Sequence, residues 1–424
     1  MSSKRVSRPS SKPVCVLSHR NADSVGVEQR DIPDGIETRF DLTATREIRY
    51  SVIHPAGYVL DRRNSVLQQA VGRRPVLAVV DRQVNRLYGD DLRAYLENEL
   101  DLRGYLTIDG SESRKTWMPV QRICEKAIDI ELSRDGVMMA VGGGVTLDIT
   151  GFAASIFRRG VNVVRIPTSL IGLIDVGVGI KHSINLGNKK SILGSFYPAI
   201  VNINDPTFLA TLPPRHISSG IAEIIKMAMV LDANLFATLE THLEEFLAQR
   251  FQVSPLARDV LVRSEVLMMQ QLEPNLFESD LQRLPDFGHT FSPAIEAVSG
   301  WTIQHGEAVG MDMLISTALA QCKGLCSPVT VERLRKLLSS AALPFTPEVC
   351  RPDVLMKALR AARQHRAGNL NLVVPLEIGQ ADFIQEVCLE EIEQALALID
   401  GGDLTNVGAL SRPWRDASAA RNMA

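Results

Sequence analysis

Three side chains able to hold a divalent cation stand out, because the 424-residue chain contains only eight histidines. Glu223 lies in Gly220-Ile221-Ala222-Glu223-Ile224-Ile225-Lys226. His289 lies in Asp286-Phe287-Gly288-His289-Thr290-Phe291, and His305 in Gln304-His305-Gly306-Glu307. Two imidazoles and a carboxylate leave a tetrahedral ion one open position, which is the ligand set of a catalytic zinc site. From spacing alone, two capping or core histidines are the simpler account. A second constellation is Gly142-Gly143-Gly144 between the apolar run Val137–Val141 and the helical stretch that starts Val145-Thr146-Leu147-Asp148. Three glycines there let a backbone approach a pyrophosphate, with helix N–H groups pointing at it. The run is not G-x-G-x-x-G, so a tight packing turn is the alternative. Asp81 ends the apolar run PVLAVVD. It suits either ribose hydroxyls or the cap of the next helix.

A third group is cationic: Arg158, Arg159, Lys181, Lys189, Lys190 and Lys226. Lysine and arginine hold phosphate oxygens, so these point to a phosphorylated substrate. Solvated surface charge is the plainer reading for Lys189 and Lys190. It is weaker for Lys181, which interrupts the apolar run Leu170–Ile184.

The elements that must position these groups differ between the two halves of the chain. In the first half, strand patterns (46–53, 75–81, 105–108, 136–141) alternate with helical ones (90–100, 116–132, 145–157), which predicts a parallel sheet with helices on both faces. The second half reads as helices over 216–231, 233–248, 255–271, 305–322 and 330–342. Thr211-Leu212-Pro213-Pro214 marks the change. The expected organisation is a disordered arm at 1–30, an α/β domain at 31–212, a helical domain at 213–400 and a flexible tail at 401–424.

Composition narrows the classes. Lys plus Arg is 46 and Asp plus Glu is 49, a net charge of −3, which gives no reason to expect nucleic acid or an anionic membrane as partner. The most apolar stretch, 161–184, is broken by Arg165, Pro167, Asp175 and Lys181, so no membrane span is expected. The basic N-terminus lacks an apolar signal core, which makes the cytoplasm the expected location. Six scattered cysteines do not suggest a disulfide framework, and Cys322 and Cys326 lack a second Cys/His pair for structural zinc.

Four blocks in order, GGGVTLDITGFAASIFRRGVNVVRIPTSLIGLIDVGVGIKHSIN, GIAEIIKMA, DFGHTFSPAIEA and QHGEAVGMDM, resemble the 3-dehydroquinate synthase superfamily of sugar phosphate cyclases. The likeness spans roughly Asp41 to Gly379. It implies a Rossmann-like NAD-binding α/β domain, a mostly α-helical metal-binding domain, a site in the cleft between them, and a homodimer. It further implies zinc, with cobalt as an alternative, on Glu223, His289 and His305. NAD is implied on Gly142, Gly143, Gly144 and Asp148, with Asp81, Glu112, Lys115, Thr168, Ser169 and Asp175. Arg159 (reaching across a dimer), Lys190 and Lys226 would hold the phosphate. Lys181, Asp175, Arg283 and Asp286 would orient hydroxyls.

Within the superfamily, LEPNLFE (Leu272–Glu278) resembles the branch that cyclises sedoheptulose 7-phosphate to 2-epi-5-epi-valiolone. Leu272 stands where dehydroquinate synthases are expected to place a lysine suited to a substrate carboxylate, Asp286 replaces their Asn, and Pro293 their second His. The implied reaction is transient oxidation by NAD, β-elimination of phosphate, re-reduction and intramolecular aldol closure. Two positions depart from the pattern. Asn371 stands where the valiolone-type enzymes usually have His, and Ser191 where many members have Asn. A 2-epi-valiolone synthase or another cyclase of the superfamily is the nearest alternative. A metal-dependent NAD alcohol dehydrogenase and a catalytically silent relative are the alternatives from other classes.

Overall fold

The computed structural model describes residues 25–28, 41–44, 47–187 and 189–401. The chain divides into two compact units between Arg49 and Tyr50. In the first unit, β1 (Val25–Glu28) pairs antiparallel with β2 (Asp41–Ala44). β1 therefore falls inside the stretch read from sequence as an unstructured arm; the rest of 1–30, and the expected tail beyond Gly401, lie outside the described residues.

The second unit is built on a six-stranded parallel sheet. Its strands are β3 (Ser51–Ile53), β4 (Pro75–Asp81), β5 (Asp101–Ile108), β6 (Val137–Gly142), β7 (Asn162–Pro167) and β10 (Val201–Ile203), in the spatial order β3-β10-β7-β6-β4-β5. Val76 to Val80 and Val137 to Val141 are wholly buried, because helices cover both faces and leave no solvated side. Even-numbered Val76, Ala78 and Val80 face α2 (Arg82–Glu99). Odd-numbered Leu77 and Val79 face α3 (Trp117–Asp129) and α4 (Gly144–Ile156). The helices following β4 and β6 thus leave on opposite faces. That makes the gap between these adjacent strands a topological switch point, where open α/β sheets bind ligands. Asp81 and Gly142 sit on its two sides. A short helix α1 (Val66–Val71) and an antiparallel hairpin, β8 (Lys181–Leu186) with β9 (Lys189–Phe196), complete this part.

From Pro214 onward the chain is helical: α5 (Pro214–Leu231), α6 (Ala233–Gln249), α7 (Pro255–Leu272), α8 (Ser292–Val298), α9 (His305–Cys322), α10 (Pro328–Ser340), α11 (Pro352–His365) and α12 (Leu389–Asp400). One hairpin, β11 (Leu372–Glu377) with β12 (Gln380–Ile384), lies among them. α9 is buried from Gly306 to Ala320 and α5 from Ile217 to Val230. Each buried Leu, Ile, Val or Met contributes roughly 1.5–3 kcal/mol, and these two helices form the centre of the largest apolar core. Among the described residues no helix is long and apolar enough to cross a membrane.

Three sequence expectations are corrected. The strand predicted over 46–53 is only Ser51–Ile53, and the helix predicted at 90–100 starts at Arg82, where Asp81 caps it. The β8–β9 hairpin was not expected, because β9 is largely solvent-exposed and lacks polar–apolar alternation.

Candidate active site

Gly306 explains how two ligands meet. A Cβ there would stand 2.1 Å from Ser219 O, so only glycine lets the start of α9 lie against α5. The Gly306 N–H donates to Ser219 Oγ at 3.0 Å and locks the contact. Glu223, one turn along α5 from Ser219, then faces His305 at the first position of α9. The third ligand comes from the turn before α8. Gly288 adopts φ 76, against Val309 and Met313 of α9. Asp312, buried in α9, accepts the N–H groups of Phe291 and Ser292 and fixes the turn that carries His289.

Glu223, His289 and His305 offer ligand atoms that all lie within 4.8 Å of one another. Nε2 of His305 is 3.4 Å and Nε2 of His289 is 3.7 Å from Glu223 Oε1. Their Nδ1 atoms are engaged elsewhere: that of His289 with Phe287 O at 3.0 Å, that of His305 with Glu296 Oε1 at 2.9 Å. These outer contacts leave both Nε2 atoms to face the carboxylate, the arrangement typical of metal-ligating histidines. Glu223 is buried, and neither of its oxygens accepts a hydrogen bond of regular geometry. Lys226 Nζ stands 2.6 Å from Oε2 as an ion pair. A buried carboxylate and two aimed imidazoles fit a divalent ion.

The protonation pattern agrees. Burial alone would raise Glu223, but Lys226 and the two imidazoles hold it well below the ordinary carboxylate range. Burial and Lys226 push His289 down to about 4. Burial and Lys190 oppose protonation of His305, yet Glu296 and Glu223 outweigh them and raise it to about 9. One proton thus resides on His305 between two carboxylates, and a bound cation would take its place.

Around this centre lies a polar cluster. Lys190 Nζ is 2.5 Å from Glu296 Oε2. Asp286 is clamped by two arginines: Arg283 Nη2 takes Oδ1, and Arg366 Nη2 takes Oδ2 at 3.0 Å. Burial would raise Asp286, and the two guanidiniums hold it below its usual range. Lys181 Nζ is 2.8 Å from Glu278 Oε1, which also contacts Arg283. Asp175 lies in the π-turn Gly172–Val176, close enough for its charge to act on Lys181 and Lys226.

At the switch point, Gly143 caps α4. A Cβ on Gly142 would meet Thr146 Cβ at 2.8 Å and Asp81 Cβ at 3.0 Å, and one on Gly110 would meet Asp81 Oδ2 at 2.2 Å. Gly143 and Gly144 border Ser169 and Val176. The Thr146 hydroxyl is buried without a partner in this cradle. Thr168 N donates to Gly142 O at 2.9 Å, and Ser169 Oγ accepts from Gly172 N at 3.2 Å. Lys115 Nζ pairs with Asp148 Oδ2 at 2.5 Å, and Glu112 Oε1 accepts from Asn185 Nδ2 at 2.8 Å. Side-chain-free backbone beside a helix N-terminus fits a dinucleotide pyrophosphate.

Some expected residues stand differently. Asp81 spends its carboxylate on the N–H groups of Gln83, Val84 and Gly110, so capping describes its contacts. Within one chain Arg159 follows the far end of α4, about 20 Å from the glycine turn at 1.5 Å per residue, so its expected role is one toward the site of a partner copy. Lys190 and Lys226 are each paired with a carboxylate and do not stand free. Glu278, Glu296, Asp312 and Arg366 were missed from sequence. Glu296 lies inside the quoted SPAIEA block, an acid on an otherwise apolar turn, which was a usable signal. Arg366 had none. The two departing positions both take left-handed backbone: Ser191 has φ 52 and Asn371 has φ 46, a region Asn adopts readily.

Comparison with known proteins places the chain in a class. The family profile described as 3-dehydroquinate synthase N-terminal matches residues 105–219, and its C-terminal companion matches residues 220–365. The chain belongs to the 3-dehydroquinate synthase superfamily of sugar phosphate cyclases. More particularly, it is 46% identical over 351 residues to a 2-epi-5-epi-valiolone synthase of Streptomyces glaucescens, covering 82% of this chain and 90% of that protein. The structure of ValA, the 2-epi-5-epi-valiolone synthase of Streptomyces hygroscopicus subsp. jinggangensis 5008 with NAD+ and Zn2+ bound, superposes with a TM-score of 0.81. The two chains are 39% identical, over 85% of this chain and 99% of that one. A 2-deoxy-scyllo-inosose synthase complexed with carbaglucose-6-phosphate, NAD+ and Co2+ shares the fold, with a TM-score of 0.70 and 22% identity over 84% of this chain and 96% of that one.

Proposed function

We propose that this protein is a sedoheptulose 7-phosphate cyclase that releases phosphate and forms 2-epi-5-epi-valiolone, a carbocycle-forming lyase of the cytoplasm acting as a homodimer. The observation that carries the reading is the convergence of Glu223, His289 and His305 on one point, beside the Asp286 clamp and within a chain 46% identical to a relative of that activity. In this reading residues 31–212 hold NAD and residues 213–400 hold the metal and substrate.

Bound NAD supplies a reversible hydride acceptor, and a bound zinc or cobalt ion supplies a Lewis acid that lowers a substrate hydroxyl's pKa. The chain's own residues do the rest. Gly142, Gly143 and Gly144 admit the pyrophosphate. Glu296 and Lys190 hold the His305 ring by its Nδ1 side. Lys226 Nζ, kept charged by Glu223 against its burial, would hold a proton beside the reacting hydroxyl. Asp286, ionised and immobile between Arg283 and Arg366, accepts hydrogen bonds from substrate hydroxyls. Lys226, Lys190 and the partner copy's Arg159 would share the phosphate.

The test is incubation with sedoheptulose 7-phosphate, NAD and zinc, reading phosphate release and product stereochemistry by NMR. Release with a cyclitol product and no net NADH absorbance supports the reading. Stoichiometric NADH would make the protein an alcohol dehydrogenase instead. Asn371, in place of the usual His, favours one second reading: a 2-epi-valiolone product from the same substrate, which the same NMR spectrum separates.

A further inference from the structure

Glu278 is engaged by two cations at once. Its Oε1 lies 2.8 Å from Lys181 Nζ and also contacts Arg283 Nη1. It reaches them from a left-handed residue, with φ 55 and its N–H donating to Asn275 O at 3.0 Å. A bulky acid with positive φ is strained, and such outliers persist where the surroundings over-determine them. The neighbouring Phe277 packs edge-on against Phe196 at 5.8 Å, so the loop is tied to the same hairpin that carries Lys181. Arg283 gives its second nitrogen to Asp286, whose other oxygen is held by Arg366. Every cation on this wall of the site therefore already faces a carboxylate.

Such a wall treats ligands unequally. An uncharged polyol needs donors and acceptors in fixed positions and loses nothing from charge balance. A ligand with a carboxylate must displace Glu278 or Asp286, or stand beside them as a like charge. Building repulsion against the wrong ligand is as effective as adding contacts to the right one.

We infer that Glu278 is the specificity-determining residue of this wall, neutralising Lys181 and Arg283 so that the site takes an uncharged polyol end and rejects a carboxylated one. The inference rests on the cyclase reading for the identity of the polyol phosphate. Glu278 acts through its two partners and is a positioning residue.

The test uses the full chain loaded with NAD and zinc. The ligands are the C7 phosphonate of sedoheptulose, which cannot release phosphate, and the matching phosphonate of a heptulosonic acid, which carries a carboxylate at C1. Calorimetry gives the ratio of their Kd values for the unaltered protein, E278Q, E278D and the double variant E278Q/K181Q. Zinc content and NAD binding check that each variant is folded. E278Q is expected to shift the ratio at least fivefold toward the carboxylated ligand. E278D, which keeps the charge, should stay within about twofold of the unaltered protein, and the double variant should fall back toward it. A ratio unchanged in E278Q, or a shift that persists undiminished in the double variant, overturns the inference. Because binding is read without turnover, failure to release phosphate from sedoheptulose 7-phosphate would refute the cyclase reading alone.

Discussion

Glu296 Oε1 accepts from His305 Nδ1 at 2.9 Å while its other oxygen holds Lys190 Nζ, so the imidazole facing Glu223 is oriented from behind by a buried carboxylate. His305 and Lys190 together overcome burial and bring Glu296 down to about 2, so it stays charged throughout the working pH range. Replacing Glu296 with Ala should leave His305 in place but free to rotate. Zinc affinity is expected to fall about 10- to 100-fold, as for other second contacts to metal-bound histidines. Chelator competition with the purified variant measures it. K190A, which leaves the contact between Glu296 and His305 in place, should lose less.

The contact between α5 and α9 predicts the cost of one methyl group. A Cβ at position 306 would meet Ser219 O at 2.1 Å, a backbone atom that cannot rotate away. G306A should therefore separate the two helices, destabilise the fold by about 3 kcal/mol as overpacking does, and lower zinc content, because Glu223 and His305 part. Thermal unfolding and metal analysis of one preparation read both effects.

The glycine turn predicts a separable defect. In G142A the new Cβ would press on Thr146 and Asp81 at the start of α4, far from the metal ligands in sequence. NAD affinity should fall at least tenfold, a change of about 1.4 kcal/mol or more, while zinc stays at the level of the unaltered protein. Titration of NAD by calorimetry, with zinc assayed alongside, checks the pair of outcomes.

Asp312 sets a pH dependence of stability. It is wholly buried, and burial raises its carboxyl from 3.8 to about 6, against the lowering effect of hydrogen bonds from Ser292, Phe291 and Ser316. Its folded pKa exceeds its unfolded one. The protonated form therefore favours the folded state, its contribution is complete below about pH 3.8, and it is lost as pH rises through about 6. Two pKa units correspond to roughly 3 kcal/mol. D312N, which cannot ionise, should become more stable relative to the unaltered protein between pH 4 and pH 7. Unfolding midpoints of both proteins across that range test the sign.

What could be read from sequence follows physical lines. The buried strands of the sheet were legible because runs such as PVLAVVD are apolar on both faces. α9 was read from helical spacing with the same ends, His305 to Cys322, although burial all round weakens its amphipathic signature. The hairpin Lys181–Phe196 was hidden because its second strand is solvent-exposed. The metal ligands could not be chosen from spacing, since Glu223 and His289 are 66 positions apart and meet through the packing of α9 against both α5 and the turn before α8. They emerged from the motif resemblance. Arg366 stayed invisible because its function lies in reaching Asp286 from 80 positions away. Lys190 and Lys226 were read as phosphate ligands from their charge, while the carboxylates beside them, Glu296 and Glu223, could not be paired with them from sequence.

The most direct measurement is anomalous X-ray diffraction at the zinc edge from crystals grown with zinc and NAD. A single strong peak about 2.0–2.2 Å from Glu223 Oε1 or Oε2 and from Nε2 of His289 and His305 is the predicted result. A chain that binds no ion, or an ion held by other residues while these three remain apart, would contradict the account.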